Sequence, residues 1–292
     1  MPSQDMMPEP VIPVRGQVQK TFVDNIVLSG FTDDNHFKAI IGEYLQSLSP
    51  AEQQSLMNSV HISQTFVRAL PPFVQGPAEI RQFQNDYTNA LTADPVFKTS
   101  FGNLSYKFCY IDPTQLIALQ PWIGPRHDAI PTDELSLMKF ALPNQWEVPA
   151  EINFIPPQGP IQILSSSPMF QGLSIDFDFP NGKVQLGPPK HLNLVQVSHF
   201  QGKYYLRNGY HRIADAIFAG IREFPCLLIE AFNPLEVQLT GQNFFNFGYV
   251  ANLPRPPLVA DFNTPAAIQT KTRERRYGMI VKLDISPINI GI

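Results

Sequence analysis

The stretch Gly202–Glu230, GKYYLRNGYHRIADAIFAGIREFPCLLIE, decides how the fold of this chain is interpreted. It predicts a strand over Lys203–Leu206 that breaks at Asn208-Gly209, because glycine adopts backbone conformations that end a strand. A helix is predicted from Tyr210 to Ala219, where small and apolar residues recur on one face. A buried strand is predicted over Cys226–Ile229. The unit is therefore a strand, a tight turn, a helix and a second strand.

The turn at Gly209 concentrates groups that suit an anion. The first backbone N–H groups of a helix lack partners within the helix, and the helix dipole adds partial positive charge there. Gly209 has no Cβ to block a close approach, and Arg207, His211 and Arg212 stand close to it in the chain. Arginine suits bidentate contact with phosphate, and histidine can carry charge near neutral pH. The pattern therefore predicts a phosphate or carboxylate site at this helix start.

The same residues are also typical of an internal ion-pair cluster. A cation in the first turn of a helix opposes the helix dipole, so a carboxylate partner is expected. The candidate pairs are Asp215 with His211 or Arg212, and Glu223 or Glu230 with Arg207. The residues alone leave the anion site and the ion-pair cluster both open.

This stretch resembles the ParB/sulfiredoxin-like superfamily. Its members share a strand, a G-x-x-R turn or a close variant, a helix that ends on glycine, and a short link to a proline and a strand. The corresponding elements here are Tyr204–Leu206, Gly209–Arg212, Arg212–Gly220 and Pro225–Ile229. Tyr110–Ile123 (YIDPTQLIALQPWI) is similar to the family's opening strand and turn. The resemblance thus spans residues 106–232.

The resemblance implies a nucleotide ligand, since this turn binds nucleotide phosphates in the family. ParB partition proteins use Gly-Glu-Arg-Arg for CTP and sulfiredoxin uses Gly-Cys-His-Arg for ATP, whereas Gly209–Arg212 is Gly-Tyr-His-Arg. ATP or CTP with Mg²⁺ is therefore the expected ligand. Tyr210 replaces both the sulfiredoxin cysteine and the ParB glutamate, which removes the nucleophile and puts CTP hydrolysis in doubt. The residues assigned to ligand binding are Arg207, Asn208, Gly209, Tyr210, His211 and Arg212.

Changes in composition divide the rest of the chain. Residues 1–20 are proline-rich and predict a flexible arm. Helical periodicity predicts a helical subdomain over residues 21–105, and residues 233–292 form a proline-rich C-terminal extension. The ParB/sulfiredoxin-like domain occupies residues 106–232, with an inserted hairpin near residues 173–186. The predicted fold class is α+β, a mixed sheet with packed helices.

Local signals predict where helices begin. Ser49 and Glu52 form a capping box around Pro50, and Asp133 is a candidate N-cap for a helix through Phe140. Pro77 is interpreted as the start of another helix. The apolar face of that helix is predicted to hold Ile80, Phe83, Tyr87 and Leu91.

Alternating residues over Leu173–Phe179, followed by Asn181-Gly182, predict the inserted hairpin. Asp176 and Asp178 share one face of its first strand and could hold a divalent cation, although the solvated outer face of a hairpin explains them more simply. Spacing does not select a metal ligand or a base among Asp112, Asp176, Asp178 and Asp215. No catalytic residue or metal ligand is therefore assigned.

Composition argues against several classes of protein. There is no apolar run of about 18 residues, as a transmembrane helix requires. Cys109 and Cys226 lie in apolar runs and predict buried thiols in a reducing compartment, the cytoplasm. A net charge of −4 and the lack of a helix-turn-helix pattern argue against nucleic-acid binding. Lys271–Arg276 is the one basic run, and it is typical of a solvated surface segment.

Three functions stay open at this point. The chain could be a phosphotransferase or NTPase that binds a nucleotide or a phosphorylated small molecule at Gly209–Arg212. It could be a non-catalytic binding or regulatory protein, which Tyr210 favours. It could be a DNA-associated ParB-like protein that uses Arg273, Arg275 and Arg276. The sequence is also compatible with a homodimer.

Overall fold

The structure is a computed structural model that describes residues 22–124, 129–144, 192–239 and 244–273, together with the backbone of five further short strands. It has the predicted α+β class, with mixed sheets and packed helices. The helices are α1 (Asp34–Ser47), α2 (Pro50–Arg68), α3 (Asp86–Ala93), α4 (Pro95–Phe101), α5 (Glu134–Ala141), α6 (Tyr210–Phe218) and α7 (Phe247–Asn252).

The strands fall into four sheets. They are β1 (Phe22–Val27), β2 (Glu79–Gln82), β3 (Tyr106–Ile111), β4 (Ile117–Ala118), β5 (Trp122–Ile123), β6 (Glu151–Phe154), β7 (Ile161–Ser165), β8 (Ser174–Asp178), β9 (Lys183–Gly187), β10 (Gln196–Phe200), β11 (Lys203–Asn208), β12 (Phe224–Glu230), β13 (Ile268–Arg273) and β14 (Tyr277–Val281). The largest sheet has the order β2-β3-β12-β10-β11-β4. Smaller sheets have the orders β13-β1-β5, β14-β7-β6 and β8-β9.

Strand β12 lies inside the six-stranded sheet because its sequence is nearly all apolar. Every residue from Phe224 to Ile229 is buried, as expected of a strand that is covered on both faces. It pairs antiparallel with β3 and parallel with β10. Strand β10 in turn pairs antiparallel with β11. The predicted strands of the Gly202–Glu230 unit are thus confirmed, and a long-range pairing joins them into one sheet.

Capping explains where several helices begin. The capping box of Ser49 and Glu52 is confirmed at the start of α2, and the side chain of Asp133 caps α5 by accepting from the backbone N–H of Ser136 at 2.9 Å. Asn85 caps α3, with Thr88 completing the box. These bonds satisfy N–H groups that the helix itself leaves without partners.

The helix predicted to begin at Pro77 is wrong in its first part. Residues Glu79–Gln82 form β2, which pairs antiparallel with β3, and α3 begins only at Asp86. Helical spacing of Ile80, Phe83, Tyr87 and Leu91 misled the prediction, because Ile80 is exposed while Leu91 is buried. Pairing with the edge of the central sheet outweighed the local period.

The helical segment and the central sheet share one core. Phe97 of α4 lies 5.2 Å from the ring of Tyr106 and 5.0 Å from that of Phe101, between ring centroids. Phe97, Phe108 and Leu227 belong to the same buried cluster. The segment before residue 105 also supplies β1, which pairs with β13 of the C-terminal segment. The predicted domain boundaries themselves stay a prediction.

The predicted hairpin falls partly on described residues. Strands β8 and β9 pair antiparallel and confirm the hairpin. Residues 1–20 and Asn181-Gly182 lie outside the described residues.

Cys109 and Cys226 are buried and free, with their Sγ atoms 3.8 Å apart across β3 and β12. Burial raises the pKa of the Cys226 thiol, so its thiolate is disfavoured. Among the described residues, no helix has the length and apolar character that crossing a membrane requires.

Replacing Phe97 by Ala should lower the free energy of unfolding by about 3–5 kcal/mol, because it opens a cavity in the shared core. The matched control is Phe232→Ala, since Phe232 is 78% exposed and its loss should change stability by less than about 0.5 kcal/mol. Urea unfolding followed by circular dichroism measures both. Equal effects of the two variants would contradict the shared core.

Candidate functional site

The candidate site is the junction of β11 and α6. Gly209 joins the two with φ of 94° and ψ of 25°, which is the left-handed region that favours glycine. A Cβ built on Gly209 would lie 2.6 Å from Cγ2 of Val195. Glycine is therefore required here by conformation and by space, and the predicted break at Asn208-Gly209 is confirmed.

Asn208 holds this turn in place through both ends of its amide. Its Nδ2 donates to Oδ1 of Asn193 at 2.9 Å and to the carbonyl oxygen of Leu194 at 3.0 Å. Its Oδ1 accepts from the backbone N–H of Gly209 at 2.9 Å. Two of these three bonds involve backbone groups, so the side chain of Asn208 helps to fix the shape of the turn.

The first turn of α6 has no side-chain cap. In α1, α2, α3 and α5 a side chain accepts from an N–H group of the first turn, but glycine has no side chain to do so. The N–H groups of this turn carry the partial positive charge of the helix dipole. The junction thus keeps the backbone feature on which the anion prediction was based.

Tyr210 points into the core. Its hydroxyl donates to the carbonyl oxygen of Leu206 at 2.5 Å and accepts from the N–H groups of Leu119 at 2.8 Å and Gln120 at 3.1 Å. Burial raises the pKa of Tyr210 well above its usual value, so the phenol is neutral. The side chain of Tyr210 is therefore a structural link between β11 and the segment that follows β4.

The imidazole of His211 accepts a hydrogen bond, which requires a lone pair on one ring nitrogen. Its Nε2 accepts from the backbone N–H of Gly124 at 2.8 Å. An imidazolium has protons on both nitrogens and could not accept this bond. The imidazole therefore acts here as a neutral acceptor, and it ties α6 to the end of β5 rather than supplying a second cation.

Arg212 is deeply buried, and its acceptors among the described residues are neutral. Its guanidinium donates to the carbonyl oxygens of Phe140 and Ala141, each at 3.1 Å, and to Oδ1 of Asn193 at 3.0 Å. The two carbonyls end α5, whose C-terminus favours a cation. Burial lowers the pKa of Arg212 to about 10, which leaves it charged at neutral pH. No carboxylate offsets this charge within the described part of the chain.

Arg207 is the other cation near the turn. Its Nε is buried and has no hydrogen-bond partner among the described residues. Burial lowers the pKa of the guanidinium, although the charge of Glu236 acts in the opposite direction. The expected pairs with Glu223 or Glu230 are wrong, because Glu223 pairs with Arg81 and Glu230 pairs with Lys107 and His199. The ion-pair alternative therefore fails for Arg207.

The structure also shows residues that the sequence pattern did not reveal. Asn193 connects Asn208 with Arg212, and Gly124 donates to His211. Both are distant from the motif in the chain, and neither has a neighbouring pattern that marks it. They come to the turn only because β5 and the segment before β10 pack there.

The candidate metal ligands do not converge among the described residues. No group of three or more histidine, cysteine, aspartate or glutamate residues there could hold a metal ion. Asp112 accepts from the N–H and hydroxyl of Thr114, and Asp215 is buried in α6. The side chains of Asp176 and Asp178 lie outside the described residues.

Part of the basic run is engaged in ion pairs. Arg273 donates to Glu43 at 2.6 Å, and Lys271 lies 3.7 Å from Asp24. Residues 274–276 lie outside the described residues. The two described cations thus act between β13 and its neighbours α1 and β1.

Comparisons with protein-family models, with curated proteins and with solved structures found no match. The resemblance to the ParB/sulfiredoxin-like superfamily therefore stays a prediction.

Gly209→Ala should destabilise the protein more than Gly202→Ala does. Both glycines have a positive φ, but a Cβ at Gly202 would meet nothing within 4 Å, so only backbone strain of about 1–2 kcal/mol is expected there. The clash with Val195 should add roughly 1–3 kcal/mol at Gly209. Denaturant unfolding of both variants measures the difference, and equal losses would show that the turn tolerates a side chain.

Tyr210→Phe should lower the free energy of unfolding by about 1–3 kcal/mol, because it leaves buried backbone groups without their partner. Tyr249→Phe is the control, since Tyr249 is 53% exposed. Thermal unfolding of both variants is the measurement. If Tyr210→Phe were as stable as the control variant, the hydroxyl would not be the link described above.

Proposed function

We propose that this protein binds a phosphate-bearing small molecule at the first turn of α6, with ATP or CTP, with or without Mg²⁺, as the first ligands to test. The observation that carries the proposal is the uncapped first turn of α6 together with the buried charge of Arg212. A phosphate would accept from the N–H groups of the turn and would offset a positive charge that the described residues leave without a carboxylate.

The state of Arg212 supports an anionic ligand over a neutral one. Burying an ion without a countercharge is costly, and its recorded acceptors are neutral oxygens. Arg207 adds a guanidinium whose buried Nε has no hydrogen-bond partner in the described part of the chain. An anion near this junction would interact favourably with both charges.

Binding without catalysis is the form of the proposal that the contacts favour. Tyr210 is neutral, buried and bonded to three backbone groups, so it offers neither a nucleophile nor a base. His211 uses Nε2 to accept from Gly124. We therefore interpret the junction of β11 and α6 as a nucleotide-binding site of the ParB/sulfiredoxin-like type that carries out no reaction itself. The two buried, free cysteines suit a reducing compartment such as the cytoplasm.

DNA association is the less favoured alternative. The described cations of the basic run, Lys271 and Arg273, pair with Asp24 and Glu43, and the net charge of the chain is −4. Phosphate backbone binding depends on cations that are available to replace counterions. A small phosphate ligand needs only the local charge at α6.

Isothermal titration with inorganic phosphate, ATP and CTP, with and without Mg²⁺, tests the proposal. At least one of these should bind, and Arg207→Gln should weaken that binding by about 10- to 100-fold, the equivalent of one charge-assisted hydrogen bond. Within the described ranges Arg207 forms no ion pair, so the variant should fold normally.

Arg222→Gln is the matched control, because Arg222 is exposed beyond the other end of α6. It should bind like the unmodified protein. No binding of any of these ligands, or an equal loss in both variants, would contradict the proposed site.

A further inference from the structure

A second polar cluster lies at one end of the central sheet, formed by His199, Glu230, Lys107, Glu79 and Tyr204. His199 and Glu230 lie opposite each other near the carboxyl ends of β10 and β12. These two strands are parallel neighbours, and ligands of open sheets bind outside the carboxyl ends of parallel strands. None of the five residues belongs to the junction of β11 and α6.

The cluster is joined by short contacts. Nδ1 of His199 lies 2.7 Å from one carboxylate oxygen of Glu230, and Nζ of Lys107 lies 3.2 Å from the other. The same Nζ lies 2.8 Å from Glu79. Burial opposes both charges, but their mutual hydrogen bond lowers the pKa of Glu79 and raises the pKa of Lys107. Lys107 therefore stays protonated and keeps the Glu230 carboxylate in place.

The imidazole of His199 is fixed in orientation. It stacks on the ring of Tyr204 with centroids 4.6 Å apart and planes 22° apart. The Glu230 carboxylate favours a proton on Nδ1, which places the lone pair of neutral His199 on Nε2. His199 is 31% exposed, and no partner of Nε2 is recorded among the described residues. A carboxylate that orients histidine in this way is the arrangement of a general base.

We propose that His199 is the general base of a second site, one that hydrolyses uncharged carboxylic esters. The titratable groups that face it are Glu230, Lys107, Glu79 and Tyr204. Two carboxylates against one lysine give these groups a net negative charge when His199 is neutral, which disfavours anionic substrates. The proposal does not depend on phosphate binding at α6.

The neighbouring surface favours an apolar acyl group. The chain leaves the cluster through Ala231, whose N–H donates to the carbonyl oxygen of His199 at 2.9 Å. Phe232 and Leu235 follow directly, and they are 78% and 74% exposed. Exposed large apolar side chains close to a polar site can contact the apolar part of a ligand.

The proposed reaction is balanced by water alone. Nε2 of His199 takes a proton from water as the water oxygen bonds to the ester carbonyl carbon. The bond from that carbon to the alkoxy oxygen then breaks, and the proton passes from Nε2 to the leaving oxygen. The products are a carboxylic acid and an alcohol.

Hydrolysis of p-nitrophenyl butyrate by the full chain is the test. Loss of a general base costs about 100-fold or more in rate, so His199→Gln should hydrolyse the ester at least ten times more slowly than the unmodified protein. His61→Gln is the matched control, because His61 also lies near a carboxylate, 3.4 Å from Asp34, but is 57% exposed and lacks the lysine and the stacked ring. It should keep the unmodified rate.

Glu230→Gln supplies a readout that a merely structural role would not change. If the carboxylate orients the imidazole, Glu230→Gln should lower kcat and leave KM nearly unchanged. Glu230→Asp keeps a carboxylate and should restore part of the lost rate. A rate for the unmodified protein no higher than that of His199→Gln, an equal loss in His61→Gln, or an unchanged kcat in Glu230→Gln would overturn the proposal. Circular dichroism of each variant confirms that it is folded.

Discussion

The hydroxyl of Tyr210 is the contact on which the arrangement around α6 depends. It joins the backbone of Leu206 in β11 to the backbone of Leu119 and Gln120, which follow β4. Because buried backbone groups must be paired, this one hydroxyl fixes where α6 begins relative to two strands. Gly209 makes that start possible, since its left-handed backbone lets Tyr210 turn inwards directly after β11.

Several hydrogen bonds between neutral groups hold the start of α6. These bonds are made at Asn208, Tyr210 and His211. The guanidinium of Arg212 donates to the carbonyl oxygens that end α5. The positive charge of Arg212 remains, as does the positive end of the helix dipole. These two positive features are the basis of the anion site that we propose at this turn.

Local patterns predicted the elements well and the long-range contacts poorly. The strand, turn and helix around Gly209 follow from glycine chemistry and apolar spacing, which are visible within a few residues. The role of Arg212 was not predicted, because the α5 carbonyls that it binds lie about seventy positions away in the chain. The dyad of His199 and Glu230 was missed for the same reason, since parallel pairing of β10 with β12 brings the two together. The error at β2 arose because strand pairing outweighed a helical period.

The most direct test of the central claim is a residue-resolved titration of the ¹⁵N-labelled protein with inorganic phosphate and then ATP, followed by amide NMR. Backbone N–H groups that bind a phosphate change their chemical shifts first. The account predicts that the amides of Tyr210, His211 and Arg212 move with a saturable dependence on ligand, while the capped first turn of α2 at Ala51 and Glu52 does not move. Saturable shifts confined to other segments, or no shifts at any concentration, would contradict it.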